Sequence, residues 1–242
     1  MTLTQRVVNT TIKYFTRIIC RIDDTALSLV PSEGPLLLVT NHINFLEVPI
    51  VYTHLQPRPV TGFAKAETWD NRMMALLFDL WKAIPIQRGE ADIKALRRGL
   101  GALAEGQILA VAPEGTRSGD GRLGQGQPGI VMLALKSGAP LLPVVCYGGE
   151  VFWDTFRRFR RTDFHLIVGH PFTLKTPGVP LSREIRQRMI DEVMYQLAAL
   201  LPIKYRGVYA HLERATEQFL EFQPGSSSNL PQAIDVIETP AT

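Results

Sequence analysis

Four residues separate His42 from Glu47, and the pair directly follows the apolar run 36–39. Histidine is the side chain whose ordinary pKa suits general-base work near neutral pH. A carboxylate within reach fixes the imidazole tautomer and offsets the charge that develops when the ring takes up a proton. Of the five histidines, only His42 has an acidic residue at this spacing. The spacing predicts a pair that activates a hydroxyl arriving with a substrate. The alternative is that Asn41-His42 caps a helix and that Glu47 is merely solvated.

A second polar block, residues 112–118, follows another apolar run at 108–111 and reads Ala-Pro-Glu-Gly-Thr-Arg-Ser. Between the two blocks, the run 84–87 is followed by Arg88. After them comes an apolar stretch with inner prolines over 138–145. Four short blocks in this order form a far more specific signal than any one of them.

In content and order the four blocks resemble those of the phospholipid/glycerol acyltransferases, a family that includes the lysophosphatidic acid acyltransferases. The resemblance covers roughly residues 34–172. The sequence departs from the usual pattern in three places. Glu47 stands in place of Asp, Asn44 stands in place of Ser, and Gln127-Pro128-Gly129 stands where a Lys or Arg often precedes the Gly. The resemblance implies an enzyme of phospholipid biosynthesis. It would move a fatty acyl group from acyl-CoA or acyl-carrier protein to a hydroxyl of a lysophospholipid such as lysophosphatidic acid.

The resemblance also implies roles for individual residues. His42 and Glu47 are the catalytic residues, with His42 as the base and Glu47 holding its ring. Arg88 and Arg117 grip the phosphate of the acceptor, which a planar guanidinium matches with two parallel hydrogen bonds. The other substrate-binding residues of the second block are Glu114, Gly115 and Thr116. Of these, Glu114 would orient its neighbours, and backbone amides near Gly115 would be donors to a tetrahedral oxyanion.

No nucleophile of the protein itself is evident, because the sequence has no GxSxG pattern. Zinc is not indicated, since there is no HExxH motif or Cys/His cluster. The expected mechanism is therefore direct transfer within a ternary complex, with no cofactor and no metal. Two alternatives remain: an acyltransferase for a different lipid acceptor, and a non-catalytic lipid-binding relative.

The composition indicates a single globular domain. A chain of 242 residues, 45% hydrophobic and 20% charged, can bury one sizeable core. No apolar run approaches the roughly 18 residues that span a bilayer, and residues 1–22 lack the apolar centre of a signal peptide. Cys20 and Cys146 are too few for a disulfide framework. A net charge of +3 gives no argument for nucleic acid. We expect a cytoplasmic protein, peripheral on the inner face of the membrane.

The N-terminal residues 4–22 have the pattern of a basic amphipathic helix. Apolar residues recur at 4-3-4-3 spacing: Val8, Ile12, Phe15, Ile19 and Ile22. The basic residues are Arg6, Lys13, Arg17 and Arg21. Such a helix lies in a membrane interface, with cations among anionic headgroups, or packs its apolar face on its own domain. The pattern leaves both interpretations open.

Strand-like apolar runs alternate with helical patterns along the rest of the chain, which predicts a layered α/β domain. We expect a central mixed sheet flanked by helices, with the amphipathic helix before it. The N-terminal helix region is assigned to 1–30 and the acyltransferase domain to 31–222. Residues 223–242 are rich in Pro, Gly and Ser and predict a disordered tail.

Two further patterns carry less specific signals. Residues 124–129 spell GxGxxG, but about a dozen polar residues separate them from the preceding strand, whereas a dinucleotide site needs its glycines directly after the strand. The cationic cluster 157–161 includes Phe159 and is typical of a solvated surface. A membrane contact and a grip on coenzyme A phosphates are the other interpretations of that cluster.

Overall fold

The computed structural model describes residues 1–87 and 92–230. The strands within them are β1 (Cys20–Asp23), β2 (Leu36–Val39), β3 (Val60–Lys65), β4 (Ile84–Ile86), β5 (Ile108–Val111), β6 (Leu141–Tyr147), β7 (Thr162–Val168), β8 (Phe172–Leu174) and β9 (Leu220–Phe222). The α-helices are α1 (Leu3–Ile19), α2 (Glu47–His54), α3 (Arg72–Leu80), α4 (Ile93–Ala104), α5 (Gly129–Ser137), α6 (Phe152–Arg157) and α7 (Arg183–Leu200).

The strands form one mixed sheet in the order β1-β7-β6-β2-β5-β3-β4, with β8 pairing β6 and β9. The pairs β6–β2, β2–β5, β5–β3 and β3–β4 are parallel, and so is the pair β1–β7. The β6–β7 pair is antiparallel, as are the pairs that β8 makes. The predicted α/β architecture with a central mixed sheet flanked by helices is confirmed.

Strand β2 lies in the middle of the sheet and is buried on both faces. Successive side chains of a strand point to opposite faces. Leu37 and Val39 accordingly join a core that includes residues of α4, α5 and α7, whereas Leu36 and Leu38 join one that includes residues of α2. Burial on both faces explains the continuous apolar run, which is typical of central parallel strands.

The predicted N-terminal helix is present as α1, and it packs on the domain. Asn9 is buried and accepts a hydrogen bond from the Trp81 indole at 2.9 Å, and Gln5 donates to the Leu80 carbonyl at 2.8 Å. Of the predicted apolar stripe, Ile12 and Ile19 are partly buried against the core. The exposed apolar side chains lie on a different face, made by Leu3, Val7, Tyr14 and Ile18, with Phe15 beside it. No helix among residues 1–87 and 92–230 is long and apolar enough to cross a bilayer.

The predicted helix ends earlier than expected. Residues 20–23 form β1, which pairs in parallel with β7 along the edge of the sheet. Cys20 is fully buried and Ile22 is partly buried against the core, which is the period of two expected of a strand. The apolar periodicity thus predicted three helical residues too many, 20–22. Their conformation is determined by pairing with β7, which is distant in the sequence.

The first part of the predicted tail packs on the domain. Asn229 is fully buried, accepts from the His170 amide at 2.7 Å and donates to Gln196 at 2.9 Å. Gly169 lies under it, and a Cβ there would come within 2.5 Å of the Asn229 side-chain oxygen. Residues 231–242 lie outside the described residues. Composition alone did not indicate this docking, because it depends on hydrogen bonds to α7 and to the turn after β7.

A buried histidine makes stability depend on pH. The His54 side chain is fully buried, its Nε2 has no hydrogen-bond partner in the described part of the chain, and Asp24 lies 3.9 Å away. Burial, followed by the Lys13 cation, lowers the pKa of His54 to about 4. An unfolded histidine titrates near 6.5, so unfolding takes up a proton between pH 6.5 and 4. The free energy of unfolding should therefore decrease as the pH is lowered from 6.5 to 4.

We expect this fall to approach about 1.4 kcal/mol per pH unit. His54→Gln removes the titrating group, and its free energy of unfolding, measured by urea denaturation from pH 4.5 to 7, should depend less steeply on pH. If the free energy of unfolding depends equally steeply on pH in the two proteins, groups other than His54 are responsible for the loss of stability at acid pH.

Candidate active site

The register of two parallel strands brings the polar blocks together. Val39 of β2 pairs with Val111 of β5, and both strands end there. His42 follows Val39 by three residues and Glu114 follows Val111 by three, so the two loops meet at the carboxyl edge of the sheet. The His42 amide donates to Glu114 Oε1 at 3.1 Å. Ligand sites of open parallel sheets lie at this edge.

His42 and Glu47 are in contact. Nδ1 of His42 lies 3.2 Å from Oε2 of Glu47. The Glu47 carboxylate is buried, and it also accepts from the Asn44 amide, at 3.2 and 3.1 Å to its two oxygens. Glu47 is the first residue of α2, where the helix dipole favours an anion. The carboxylate is therefore fixed beside the ring, as the spacing predicted.

Asn44 fastens the loop between these two residues. Its side-chain oxygen accepts from the Leu46 amide at 2.8 Å, which stabilises the turn into α2. Its side-chain nitrogen donates to the Gly149 carbonyl at 2.6 Å. A serine in this position has a shorter side chain and no amide nitrogen to donate, so this double contact depends on Asn44. It joins the His42 loop to the segment before α6, a connection that the sequence did not indicate.

Glu114 ties three segments into one site. One carboxylate oxygen accepts from the His42 amide, and the other accepts from the Gly124 amide at 3.0 Å. Burial raises the pKa of Glu114, while these two amides act to lower it. The GxGxxG residues thus have a structural role, since Gly124 supplies a donor and a Cβ on Gly126 would come within 2.7 Å of Met194.

Replacing Glu114 by Gln should destabilise the protein. The amide has one accepting oxygen, so one of the two partly buried N–H groups, of His42 or Gly124, loses its acceptor. A fully buried donor left unpaired costs about 1–3 kcal/mol, so we expect a cost near the lower end of that range and a fall of a few degrees in the thermal midpoint. Differential scanning fluorimetry measures this, with the exposed Glu221→Gln as the matched control. Equal midpoints for the two variants would contradict the bridging role of Glu114.

Arg117 places its guanidinium beside the outward nitrogen of His42, with Nε 3.4 Å from Nε2. A guanidinium only donates hydrogen bonds. This contact therefore places the lone pair on Nε2 and the proton on Nδ1, which faces Glu47. That is the tautomer in which Nε2 accepts a proton. The Ser118 amide donates to the His42 carbonyl at 2.8 Å and holds the two loops against each other.

The rest of the predicted substrate-binding set is only partly brought to the site. Gly115 and Thr116 lie at the exposed tip of the loop. Gly115 has a φ of 69°, and its amide donates to the Ala112 carbonyl at 3.1 Å, so that amide is already engaged in the turn. Arg88 lies outside the described residues. No cluster of His, Cys, Asp or Glu suited to a metal ion occurs in the described part of the chain.

Two cavities flank the loops. One of about 90 Å³ is lined by His42 and Glu47 together with apolar side chains, among them Val48, Val51, Phe63 and Phe78. The other, of about 360 Å³, adjoins Gly115 and is lined mainly by apolar residues such as Ile93, Leu96, Ile130 and Met132. Apolar space thus lies directly next to the imidazole.

Comparison with known proteins gives concordant matches. The family model described as Acyltransferase matches residues 21–147, slightly more than half of the chain. A 1-acyl-sn-glycerol-3-phosphate acyltransferase of Limnanthes alba is 33% identical over 126 residues, covering 50% of this chain and 44% of that protein. The protein of that name in Bacillus subtilis is 24% identical over 143 residues, covering 59% and 69%. The match thus spans less than half the length of the Limnanthes relative.

A solved structure shares the fold. The 1-acyl-sn-glycerophosphate (LPA) acyltransferase PlsC from Thermotoga maritima has a TM-score of 0.58 and 22% identity, with 78% of this chain and 77% of that chain covered. At this identity the likeness concerns the fold. The match of the family model decides the membership that the four sequence blocks predicted: the chain belongs to the acyltransferase family.

Proposed function

We propose that the chain transfers a fatty acyl group from acyl-CoA or acyl-carrier protein to a free hydroxyl of a lysophospholipid such as lysophosphatidic acid, as a step in phospholipid biosynthesis. The observation that carries the proposal is the His42–Glu47 contact, with Arg117 at the other nitrogen of the ring. The names of the Limnanthes alba and Bacillus subtilis relatives support a phosphorylated glycerolipid as the acceptor.

In this mechanism Nε2 of His42 takes the proton of the acceptor hydroxyl as its oxygen attacks the thioester carbonyl. The tetrahedral intermediate then collapses, the C–S bond breaks, and the departing thiolate takes the proton from the imidazolium. Glu47 keeps Nδ1–H in place and stabilises the imidazolium. The apolar cavity of about 90 Å³ beside the ring offers space for only the first few carbons of the acyl chain, next to the reacting carbonyl.

Arg117 links acceptor binding to the base. Its Nε occupies the position at Nε2 that an acceptor hydroxyl must take. A phosphate on the acceptor is a stronger partner for the guanidinium than a neutral imidazole, because both partners are then charged. The bound phosphate would draw Arg117 away and leave Nε2 open to the hydroxyl.

The experiment that tests the proposed function is an acceptor panel. Purified protein is incubated with acyl-CoA and separate lysophospholipids that differ in headgroup, and the products are identified by mass spectrometry. We expect diacyl product chiefly from lysophosphatidic acid. Transfer only to other acceptors would assign a different lipid, and binding of lipids without any product, with acyl-carrier protein also tried as donor, would leave a non-catalytic relative.

A protein that acts on such acceptors meets them at a membrane surface, and α1 provides a face for that contact. Its exposed apolar residues are 57–77% accessible and lie along one side of the helix; they are Leu3, Val7, Tyr14 and Ile18. The cations beside them are Arg6, Lys13 and Arg17, of which Arg17 is already paired with Asp24 at 2.6 Å. We propose a peripheral association with the anionic inner leaflet, where a cation without an acidic partner contributes about 1 kcal/mol.

Val7→Ser combined with Ile18→Ser should weaken binding to anionic vesicles and leave the fold intact, because both side chains are exposed. Vesicle sedimentation at low and high salt measures the loss, with Leu29→Ser as a control at an exposed apolar residue outside α1. The binding that remains should also weaken with salt, since charges are screened over about 8–10 Å at physiological ionic strength. Undiminished binding by the double variant would exclude this face as the contact.

A further inference from the structure

An aromatic cluster connects the catalytic loop to α6. Phe45 lies between His42 and Glu47 in the chain, and its ring centroid is 5.4 Å from that of Phe152 and 5.6 Å from that of Trp153. Trp153 and the next aromatic residue of α6, Phe156, are each about half exposed. The mechanism above uses none of these rings, so their exposure beside the catalytic loop requires another explanation.

The turn that ends α6 contains an unusual phenylalanine. The Phe159 amide donates to the Phe156 carbonyl and the Arg160 amide donates to the Thr155 carbonyl, which is the Schellman pattern of a helix end. In that pattern the residue in the left-handed conformation is usually glycine. Here it is Phe159, with a φ of 53° and a side chain that is completely exposed. Neither the backbone nor the core of this protein benefits from a phenyl group at this position.

The surroundings of Phe159 are cationic and lie next to α1. Arg157, Arg158 and Arg160 are exposed, and they have no ion pair within residues 1–87 and 92–230. Arg161 donates to the Arg17 and Cys20 carbonyls at 2.5 and 2.8 Å, which holds the turn against the end of α1. The end of α1 and the 158–161 turn are thus joined by direct hydrogen bonds.

We propose that Phe159, with the half-exposed Trp153 and Phe156, forms a second membrane contact that brings the His42 loop to the surface of an anionic bilayer. Tryptophan, with its polar N–H, favours the headgroup level of a membrane. An exposed phenyl group favours the apolar side of that interface, and arginines favour the phosphates. A coenzyme A site would use the same arginines, but it would gain nothing from a phenyl group that lines no groove. The inference rests on the lipid substrate proposed above.

Phe159→Gly separates this role from a structural one. Because glycine suits the left-handed position, the variant should raise the thermal midpoint by about 2–4 °C. Its affinity for vesicles of phosphatidylcholine with phosphatidylglycerol should nevertheless fall by about three- to tenfold. Phe159→Trp should retain the binding, and Val179→Ser, at another exposed apolar residue, should leave it unchanged. A stabilised variant with undiminished vesicle binding would overturn the proposal.

The alternative partner is tested with Arg157→Gln combined with Arg160→Gln. We expect weaker vesicle binding and an unchanged KM for acyl-CoA, with a soluble short-chain lysophosphatidic acid as the acceptor. A raised KM for acyl-CoA with vesicle binding unchanged would assign the cluster to the donor and overturn the membrane proposal. Vesicle binding can be measured without any acyl transfer. If the wild-type protein binds vesicles through Phe159 but transfers no acyl group, the proposed function is contradicted and the membrane contact is not.

Discussion

His42→Ala should lower the rate of acyl transfer by about 10²–10⁴-fold, which is the usual contribution of a positioned general base. The substitution removes the nitrogen that takes the hydroxyl proton and leaves the loop in place. The hydrogen bonds that hold this loop to Glu114 and Ser118 are made by the backbone of His42, so alanine retains them. The rate is measured with saturating acyl donor and lysophosphatidic acid, and the thermal midpoint of the variant provides the folding control.

Glu47→Gln separates charge from shape at the same site. The amide keeps the size of the carboxylate but loses the charge-assisted hydrogen bond to His42, which contributes about 1.5–3 kcal/mol. The corresponding loss is roughly 10–150-fold, and it should be smaller than that of His42→Ala. Glu47→Asp should retain part of the activity, since the carboxylate survives. Transfer by His42→Ala at nearly the wild-type rate would exclude His42 as the base.

Arg117→Ala should raise the KM for a phosphorylated acceptor by roughly 10–150-fold, because a hydrogen bond to a charged group contributes about 1.5–3 kcal/mol. Arg117 is exposed in the loop after Glu114, so the substitution leaves the core unchanged. Arg117→Lys keeps the charge but loses the planar pair of donors, and its KM should lie between those of the wild type and the alanine variant. Steady-state kinetics with lysophosphatidic acid as the varied substrate give these values.

A monoacylglycerol without phosphate is the matched control acceptor. Its KM should not rise in Arg117→Ala, because the guanidinium has no phosphate to bind and, once removed, no longer occupies the hydroxyl position at Nε2 of His42. If both Arg88→Ala and Arg117→Ala leave the KM for lysophosphatidic acid unchanged, the acceptor is not held by these arginines. The assignment of a phosphorylated acceptor would then lose its support within the chain.

The sequence predicted the contact between His42 and Glu47 because that contact is local. His42 and Glu47 share one loop, and the turn into α2 is short enough for their spacing to imply contact. The roles of Glu114 and Arg117 depend instead on the register in which β2 pairs with β5. That register cannot be read from the spacing of residues along the chain. The four blocks indicated that these residues belong together, but not that Glu114 binds the backbone of His42 and of Gly124.

The orientation of α1 was harder to predict, for a physical reason. Apolar periodicity indicated a stripe in which Ile12 and Ile19 pack on the domain, but Phe15 of the same stripe is exposed. The buried face also contains Asn9 and Thr16, whose side chains are satisfied by Trp81 and by the Lys13 carbonyl. Hydrogen bonds of this kind allow polar residues on a buried face. The sequence pattern therefore did not indicate which apolar face of α1 is buried and which is exposed. The position of α6 beside the catalytic loop was likewise set by distant contacts.

The central claim is that the acceptor hydroxyl, activated by His42, attacks the donor thioester directly. Rapid-quench mixing of the protein with acyl-CoA, with and without lysophosphatidic acid, followed by intact-protein mass spectrometry, tests this most directly. We predict that the protein mass stays unmodified in both mixtures and that diacyl product forms only when acceptor and His42 are both present. An acyl group on the protein that the acceptor then removes to form product would contradict direct transfer.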